Sequence, residues 1–97
     1  MPKLSKAHAE LFELLASIKD PAEAKLLAED LLTPQEVDSI AERWQLVQEL
    51  VKGTTQRDIV KKLKISIAKV TRGSRMLRYG DGGFAHFLKK LGKTAKR

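Results

Sequence analysis

The stretch from Thr55 to Leu77 constrains this 97-residue chain most, because it contains two short helical patterns separated by a brief turn. Thr55 is placed to cap the first helix, and Asp58 follows at the spacing of a capping box. Ser66 is placed to cap the second helix. The apolar residues expected to face inward are Ile59, Val60 and Leu63, then Ile67, Val70 and Leu77. We therefore predict a helix-turn-helix at about residues 55–77.

The second helix of this motif leaves small, hydroxyl and basic side chains on its outer face, namely Ala68, Lys69, Thr71, Arg72 and Arg75. Such a face suits the DNA major groove, because an Arg fork can bind guanine edges and a Thr or Ala methyl can contact thymine. Lys and Arg can also neutralise phosphates. The composition of this face predicts a DNA-binding helix.

Positive charge is concentrated on the same motif. Residues 57–78 contain eight Lys or Arg against one acid, a net charge of +7, which equals the net charge of the whole chain. The last nine residues add five cations and no acid. This polarity is typical of proteins that bind a polyanion. The alternative is a solvated basic face without a partner. The positive charge coincides with a capped helix-turn-helix, however, and this coincidence favours a nucleic-acid partner.

Length and composition limit the remaining possibilities. We expect one helical domain over residues 1–97, with a small core. The chain has no cysteine, which excludes disulfides, thiolate metal sites and a thiol nucleophile. No apolar run approaches the roughly 20 residues that span a bilayer, and no signal-peptide core begins the chain. We therefore expect a cytoplasmic protein without a membrane partner.

The flanking segments are also helical in pattern, and none alternates with period two. The predicted helices run from His8 to Ile18, from Pro21 to about Leu31, from Pro34 to the stop at Gly53, and from Phe84 to Leu91. A polar arm over residues 1–6 and a basic, flexible tail over residues 93–97 complete the chain. The prediction is an all-α fold of six helices. Its apolar faces exceed what one chain can cover, so we expect a homodimer, with a compact monomer core as the alternative.

Residues 31–77, LLTPQEVDSIAERWQLVQELVKGTTQRDIVKKLKISIAKVTRGSRML, resemble the Trp repressor family. The motifs that carry the resemblance are LTPQE, ELVKG, QRDI and IAKVTRGS. The resemblance implies a six-helix, intertwined homodimer that represses transcription by binding double-stranded operator DNA. It also implies L-tryptophan as co-repressor, held in two pockets between the core and the helix-turn-helix, and no other cofactor.

The same resemblance assigns ligand-binding roles. Arg43 and Arg72 match the two arginines that sandwich the indole, and Thr33 matches a hydroxyl that meets the carboxylate. Met76 stands where the family has a serine near the ligand amine, and its thioether cannot donate a hydrogen bond. The implied ligand-binding residues are Asp30, Leu32, Thr33, Arg43, Val47, Arg72, Gly73 and Met76.

On the DNA side, the resemblance implies contacts from Gln56, Arg57, Ile67, Ala68, Lys69, Thr71 and Arg78. Arg57 is the best candidate for a base-edge contact, and Lys69 replaces a threonine of the family. Lys64 stands at the motif's usual glycine and would cost about 1 kcal/mol in a left-handed conformation. Ile65 adds an apolar anchor, and the linker before the motif is one residue shorter than in the best-known member. We expect Ile65 and the shorter linker to stiffen the motif and to lower its dependence on ligand.

Enzymatic function is not expected. His8 and His86 lie in different helices without an acidic cluster, and the glycines at positions 80, 82 and 83 do not follow a strand, as a phosphate-binding loop would. Two alternatives stay open: a regulator with another ligand or none, and a basic RNA-binding module. RNA readers expose aromatic side chains for base stacking, whereas the five aromatics here are predicted on apolar helix faces.

Overall fold

The computed structural model describes residues 5–93, in which every regular element is a helix. The six helices of this range are α1 (Lys6–Ala16), α2 (Pro21–Leu31), α3 (Pro34–Lys52), α4 (Gln56–Leu63), α5 (Ile67–Tyr79) and α6 (Gly83–Lys90). The predicted all-α class and its six helices are thus confirmed. Residues 1–4 of the predicted arm and residues 94–97 of the predicted tail lie outside the described range. None of the described helices is long and apolar enough to cross a membrane.

The chain forms two compact units, one up to Val37 and one from Asp38 onward. The first unit contains α1, α2 and the start of α3, and the second contains the rest of α3 with α4, α5 and α6. The single-domain organisation expected from chain length stays a prediction.

Side-chain caps determine where the helices of the first unit begin. α1 begins at Lys6, two residues before the predicted start, because the Ser5 hydroxyl accepts a hydrogen bond from the His8 N–H at 3.1 Å. It ends at Ala16, before the predicted Ile18, where the Ser17 hydroxyl donates to the Leu14 carbonyl at 2.6 Å. α2 has the predicted bounds, with the Asp20 carboxylate as its cap.

A reciprocal capping box begins α3. The Glu36 N–H donates to the Thr33 hydroxyl at 3.1 Å, and the Thr33 N–H donates to the Glu36 carboxylate at 2.8 Å. α3 ends before Gly53, whose φ of 91° is a left-handed conformation that glycine adopts without strain. Both bounds of this longest helix agree with the prediction.

The core of the second unit joins α3 to the helix-turn-helix. Leu46, Ile59, Ile65 and Val70 form a buried cluster, and Ile65 is only 7% exposed, which confirms it as an anchor. Leu46 was not among the residues predicted to face inward. A Cβ at Gly73 would collide with the Leu46 side chain, so α5 can approach α3 this closely only with glycine at that position.

Ile67 does not face the core. Its side chain is 54% exposed, and the prediction that it faces inward is wrong for the single chain. Ile67 is the first residue of α5, and the buried apolar positions on either side of it are filled by Ile65 and Val70. Its exposure agrees with the outward position that the family resemblance implies.

Candidate DNA-binding face and adjoining cleft

The helix-turn-helix consists of α4 and α5 packed against each other, with a cap on each helix. The Thr55 hydroxyl accepts from the Asp58 N–H at 3.1 Å, and the Ser66 hydroxyl accepts from the Lys69 N–H at 3.1 Å. The Asp58 carboxylate makes no return bond to the Thr55 N–H, so the expected capping box is half formed. Lys64 in the turn has φ 56° and ψ 45°. It therefore adopts the left-handed conformation that costs energy for a residue other than glycine.

All seven residues predicted to face DNA are exposed: Gln56, Arg57, Ile67, Ala68, Lys69, Thr71 and Arg78. The eight cations of residues 57–78 are exposed as well. Two of these eight form ion pairs, Lys62 with Glu49 and Lys69 with Glu42. The motif therefore presents a strongly basic outer face, which we call the basic face.

Glu49 is a buried acid next to this face. Only 3% of the residue is exposed, and its carboxylate accepts hydrogen bonds from Lys62 Nζ at 2.9 Å, Thr54 Oγ1 at 2.9 Å and Lys52 Nζ at 3.3 Å. The bond from Lys62, followed by that from Thr54, lowers the pKa of the Glu49 carboxyl from 4.5 to about 2, against the opposing effect of burial. The carboxylate thus connects α3, the linker and α4.

Glu49 was not among the predicted site residues. The signal in the sequence is indirect, because Glu49 lies three residues after Leu46 and shares its helix face, whereas the burial of Leu46 was itself not predicted. An acid on a buried stripe needs charged partners. The distant partner, Lys62, lies 13 residues away and is brought near by tertiary packing.

A cleft between α3 and α5, here called the basic cleft, brings together four of the predicted ligand-binding residues: Arg43, Arg72, Gly73 and Met76. Its volume is about 150 Å³, below the roughly 300 Å³ at which small-molecule sites usually begin. The complete lining is Ser39, Glu42, Arg43, Leu46, Lys69, Arg72, Gly73 and Met76. The arginine pair implied by the family resemblance therefore borders a small cleft.

The other predicted ligand-binding residues are Val47, Asp30, Leu32 and Thr33. Val47 is fully buried and does not line the basic cleft. Asp30, Leu32 and Thr33 belong to the first unit, where Asp30 is exposed at the end of α2 and Thr33 caps α3. Their roles in ligand binding stay predictions.

An ion pair lies at the rim of the basic cleft. Lys69 Nζ is 2.9 Å from Glu42 Oε1, and the two side chains are 59% and 34% exposed. Lys69, predicted as a DNA contact, is therefore directed to an acid of α3. An ion pair this accessible contributes only about 0–1 kcal/mol, so it can exchange its partners readily. Glu42 was not predicted as a site residue.

An apolar groove, distinct from the basic cleft, is formed by α3, the end of α5 and α6. Its volume is about 560 Å³, and its walls include Trp44, Phe84, Phe87 and Leu91. The rings of Trp44 and Phe84 are stacked with their centroids 6.3 Å apart. Phe87 and Leu91 remain about half exposed, which leaves the groove open to solvent.

The expectation that every aromatic lies on an apolar face is wrong for Tyr79. This residue is 73% exposed at the end of α5, with the Arg78 guanidinium 6.0 Å from its ring centroid. The neighbouring arginine, rather than an apolar surface, contacts the ring because Tyr79 lies beyond the packed part of α5.

Among residues 5–93, no cluster of side chains is arranged to hold a metal ion.

Comparison with known proteins agrees with the motifs. Residues 6–92 match the family model for the Trp repressor protein. A Trp operon repressor homolog of Chlamydia caviae is 39% identical over 85 residues, covering 87% of this chain and 84% of the relative. The uncharacterized protein YerC of Bacillus subtilis is 31% identical, covering 88% and 82%. The crystal structure of a TrpR-like protein from Eubacterium eligens superposes with a TM-score of 0.90 at 33% identity, covering 95% of each chain.

Proposed function

This chain belongs to the Trp repressor family, whose members are non-enzymatic, DNA-binding transcription regulators, and on that premise we propose a function for it. The protein is a repressor that binds operator DNA as a homodimer and uses L-tryptophan as co-repressor. The family agrees with the expectation that the protein is not an enzyme.

The basic face is the observation that carries the DNA-binding part of this proposal. α5 presents exposed Ala68 and Thr71 beside arginines, and α4 presents Gln56 and Arg57 at its N-terminus. The two helices supply both the phosphate-neutralising charge and the side chains able to contact base edges. In a symmetric dimer, two such faces would contact half-sites about one helical turn apart.

Uncovered apolar surface supports the homodimer. Within a single chain, no residue of α1 or α2 is buried. Large apolar side chains on these helices are therefore exposed, Phe12 by 51% and Leu26 by 68%. The apolar groove beside α6 is a further surface of this kind. A second copy of the chain would cover these apolar side chains.

The tryptophan part of the proposal is supported by the two arginines of the basic cleft. A guanidinium stacks well on an aromatic face, and Arg72 can also pair with a carboxylate. The cleft is smaller than an aromatic amino acid requires, so the ligand must separate α3 and α5 locally. Ligand and DNA binding are then coupled if the separated arrangement is the one that fits the operator.

A regulator with little ligand dependence is the second candidate, and a specific observation favours it. Glu49 ties Lys62 of α4 to α3, and buried Ile65 anchors the turn, both without any ligand. A motif already held in place gains less from a co-repressor. RNA binding is a further outcome that the experiment below distinguishes.

The experiment is a binding titration at fixed salt. A duplex selected from a random library, a random duplex and a structured RNA are each titrated with the protein, with and without millimolar L-tryptophan. The proposal expects the selected duplex to bind most tightly, with a steep fall in affinity as salt rises, and tryptophan to strengthen binding. Equal affinity for all three nucleic acids would overturn it. Identical curves with and without tryptophan would favour the ligand-independent regulator.

A further inference from the structure

A single carboxylate holds α4 at both of its ends. Glu49 Oε1 accepts a hydrogen bond at 2.9 Å from the hydroxyl of Thr54, which lies two residues before α4 begins. Glu49 Oε2 accepts a hydrogen bond at 2.9 Å from Lys62 Nζ, in the last turn of the helix. Because the two contacts use different oxygens, the carboxylate makes both at once. A helix attached at both ends tilts and rotates less freely than a helix attached at one end.

The apolar core supplies a third point of attachment between these two. Ile59 lies midway along α4 and is fully buried, in one cluster with Leu46 of α3 and Val70 of α5. The eight residues of α4 extend over only about 12 Å. Arg57, exposed in the first turn, therefore lies on a short helix that is held on both sides of it.

Lys62 differs in its contacts from Lys61, its neighbour on the basic face. Lys62 pairs with a carboxylate that is 3% exposed, whereas among residues 5–93 Lys61 forms no ion pair. To neutralise a DNA phosphate, Lys62 would have to take the closer of two ammonium groups away from buried Glu49, which leaves that charge poorly compensated. The ammonium group of Lys62 is thus directed to the protein and not to a nucleic acid.

We propose that Lys62 is a positioning residue for DNA recognition, which acts through Glu49 and does not contact a phosphate. The pair holds α4 in the orientation from which Arg57 reaches a base edge. Hydrogen bonds to base edges require placement within about 0.5 Å, whereas the charge attraction to phosphates tolerates larger displacements. Loss of the pair therefore lowers discrimination between sequences more than it lowers non-specific affinity. This inference rests on the proposed function, because it concerns how the same face reads DNA.

The test measures binding of the full-length protein to the selected and the random duplex at several salt concentrations. Lys62→Met keeps the aliphatic stem and removes the ammonium group. Its preference for the selected duplex should fall by about 10-fold, within the range for one impaired base-edge contact. The slope of log affinity against log salt should stay unchanged, because no phosphate contact is lost.

Two further variants test whether Lys62 acts through Glu49. Glu49→Gln should lower the preference to the same extent, and the double variant with Lys62→Met should lose no more than either single variant, since both substitutions remove one contact. Lys62→Arg should keep the preference, because its guanidinium group can still pair with the Glu49 carboxylate.

Lys61→Met is the matched control, because Lys61 is an exposed cation of the same helical turn. It should weaken binding to both duplexes alike and make the salt dependence less steep. Circular dichroism at the temperature of the titration checks that each variant keeps its helices. A smaller folded fraction weakens binding to both duplexes equally, so a purely structural role would not change the preference between them.

Lys62→Met with the behaviour of Lys61→Met would overturn the inference and make Lys62 an ordinary phosphate contact. An unchanged preference in Glu49→Gln, or additive losses in the double variant, would overturn it as well. If Glu49→Gln does not fold, the comparison of Lys62→Met with Lys62→Arg decides, because the Lys62 side chain is 59% exposed. A wild type that binds the selected and the random duplex equally would overturn the proposed function, and this inference with it.

Discussion

The carboxylate of Glu49 in α3 accepts a hydrogen bond from Lys62 Nζ in α4 at 2.9 Å, and these residues lie 13 positions apart in the chain. Glu49 is buried, whereas the Lys62 side chain is 59% exposed. Thr54 and Lys52 bind the same carboxylate from the linker and from the end of α3. The first helix of the DNA-binding motif is therefore attached to the long helix by charge as well as by the apolar core.

Replacing Glu49 by alanine should lower the free energy of unfolding by about 2 kcal/mol, the range of a lost hydrogen bond to a charged group. The lysines are largely exposed and can return to water, which keeps the loss below that of a fully buried pair. Urea unfolding at one fixed chain concentration measures the effect. Lys25→Ala, which removes a partner 4.0 Å from an exposed glutamate, should change stability by less than about 0.5 kcal/mol. Equal effects of the two substitutions would contradict the role given to Glu49.

Glu49 should also make stability depend on acid pH. Its pKa in the folded protein, about 2, lies below its ordinary value of 4.5. The folded state thus binds this proton less readily than the unfolded state, and the stabilisation is present above pH 4.5 and declines as the pH falls toward 2. The difference in unfolding free energy between the wild type and Glu49→Gln should shrink over this window. A constant difference between pH 5 and pH 2.5 would exclude Glu49 as its source.

Arg57 and Lys61 should affect DNA binding differently, although both are exposed cations of α4. Arg57→Ala should reduce the preference for the selected duplex over random duplex by about 1–3 kcal/mol, as expected for loss of a base-edge contact. Lys61→Ala should weaken binding to both duplexes alike. It should also make the slope of log affinity against log salt less steep, by the amount expected for about one lost phosphate contact. Competition titrations at several salt concentrations distinguish these results. If the two variants behave identically, Arg57 does not contact a base edge.

Phe87 should be necessary for dimerisation, because it is a half-exposed wall of the apolar groove. Light scattering at micromolar concentration should give the wild type about twice the mass of one chain. Phe87→Asp should dissociate or unfold it, since an unpaired charge in an apolar contact is strongly destabilising. Ala85→Asp is the control, as Ala85 is an exposed residue of α6 outside the groove lining. A wild type that scatters as a monomer would exclude the proposed homodimer.

Lys64→Gly should stabilise the fold by about 0.5–1 kcal/mol. Lys64 is the single non-glycine residue between residues 5 and 93 with a positive φ, and glycine adopts this conformation without the steric cost of a Cβ. The same exchange at Lys61, inside α4, should destabilise by about 1 kcal/mol. Thermal or urea unfolding of both variants gives the comparison. A loss of stability in Lys64→Gly would mean that strain at the turn is outweighed by the added freedom of the unfolded chain.

Local chemistry in the sequence determined the helices. Thr55 and Ser66 each cap a helix at the predicted place, because a cap acts on N–H groups only two or three residues away. The two differences at α1 come from Ser5 and Ser17, whose side chains make equally local hydrogen bonds at its two ends. The outward position of the cations also followed from the sequence, because charged side chains remain in water wherever a helix allows it.

The tertiary structure alone decided which charged groups meet. Lys69 pairs with Glu42 across 27 residues, and Lys62 pairs with Glu49 across 13. The contact between Gly73 and Leu46 likewise depends on how closely α5 approaches α3. Helical periodicity identifies the residues that share one face, but the partner of that face is selected by packing volume and crossing geometry of whole helices. The basic face could therefore be predicted from the sequence, whereas the ion pair at the rim of the basic cleft and the buried carboxylate behind α4 required the fold.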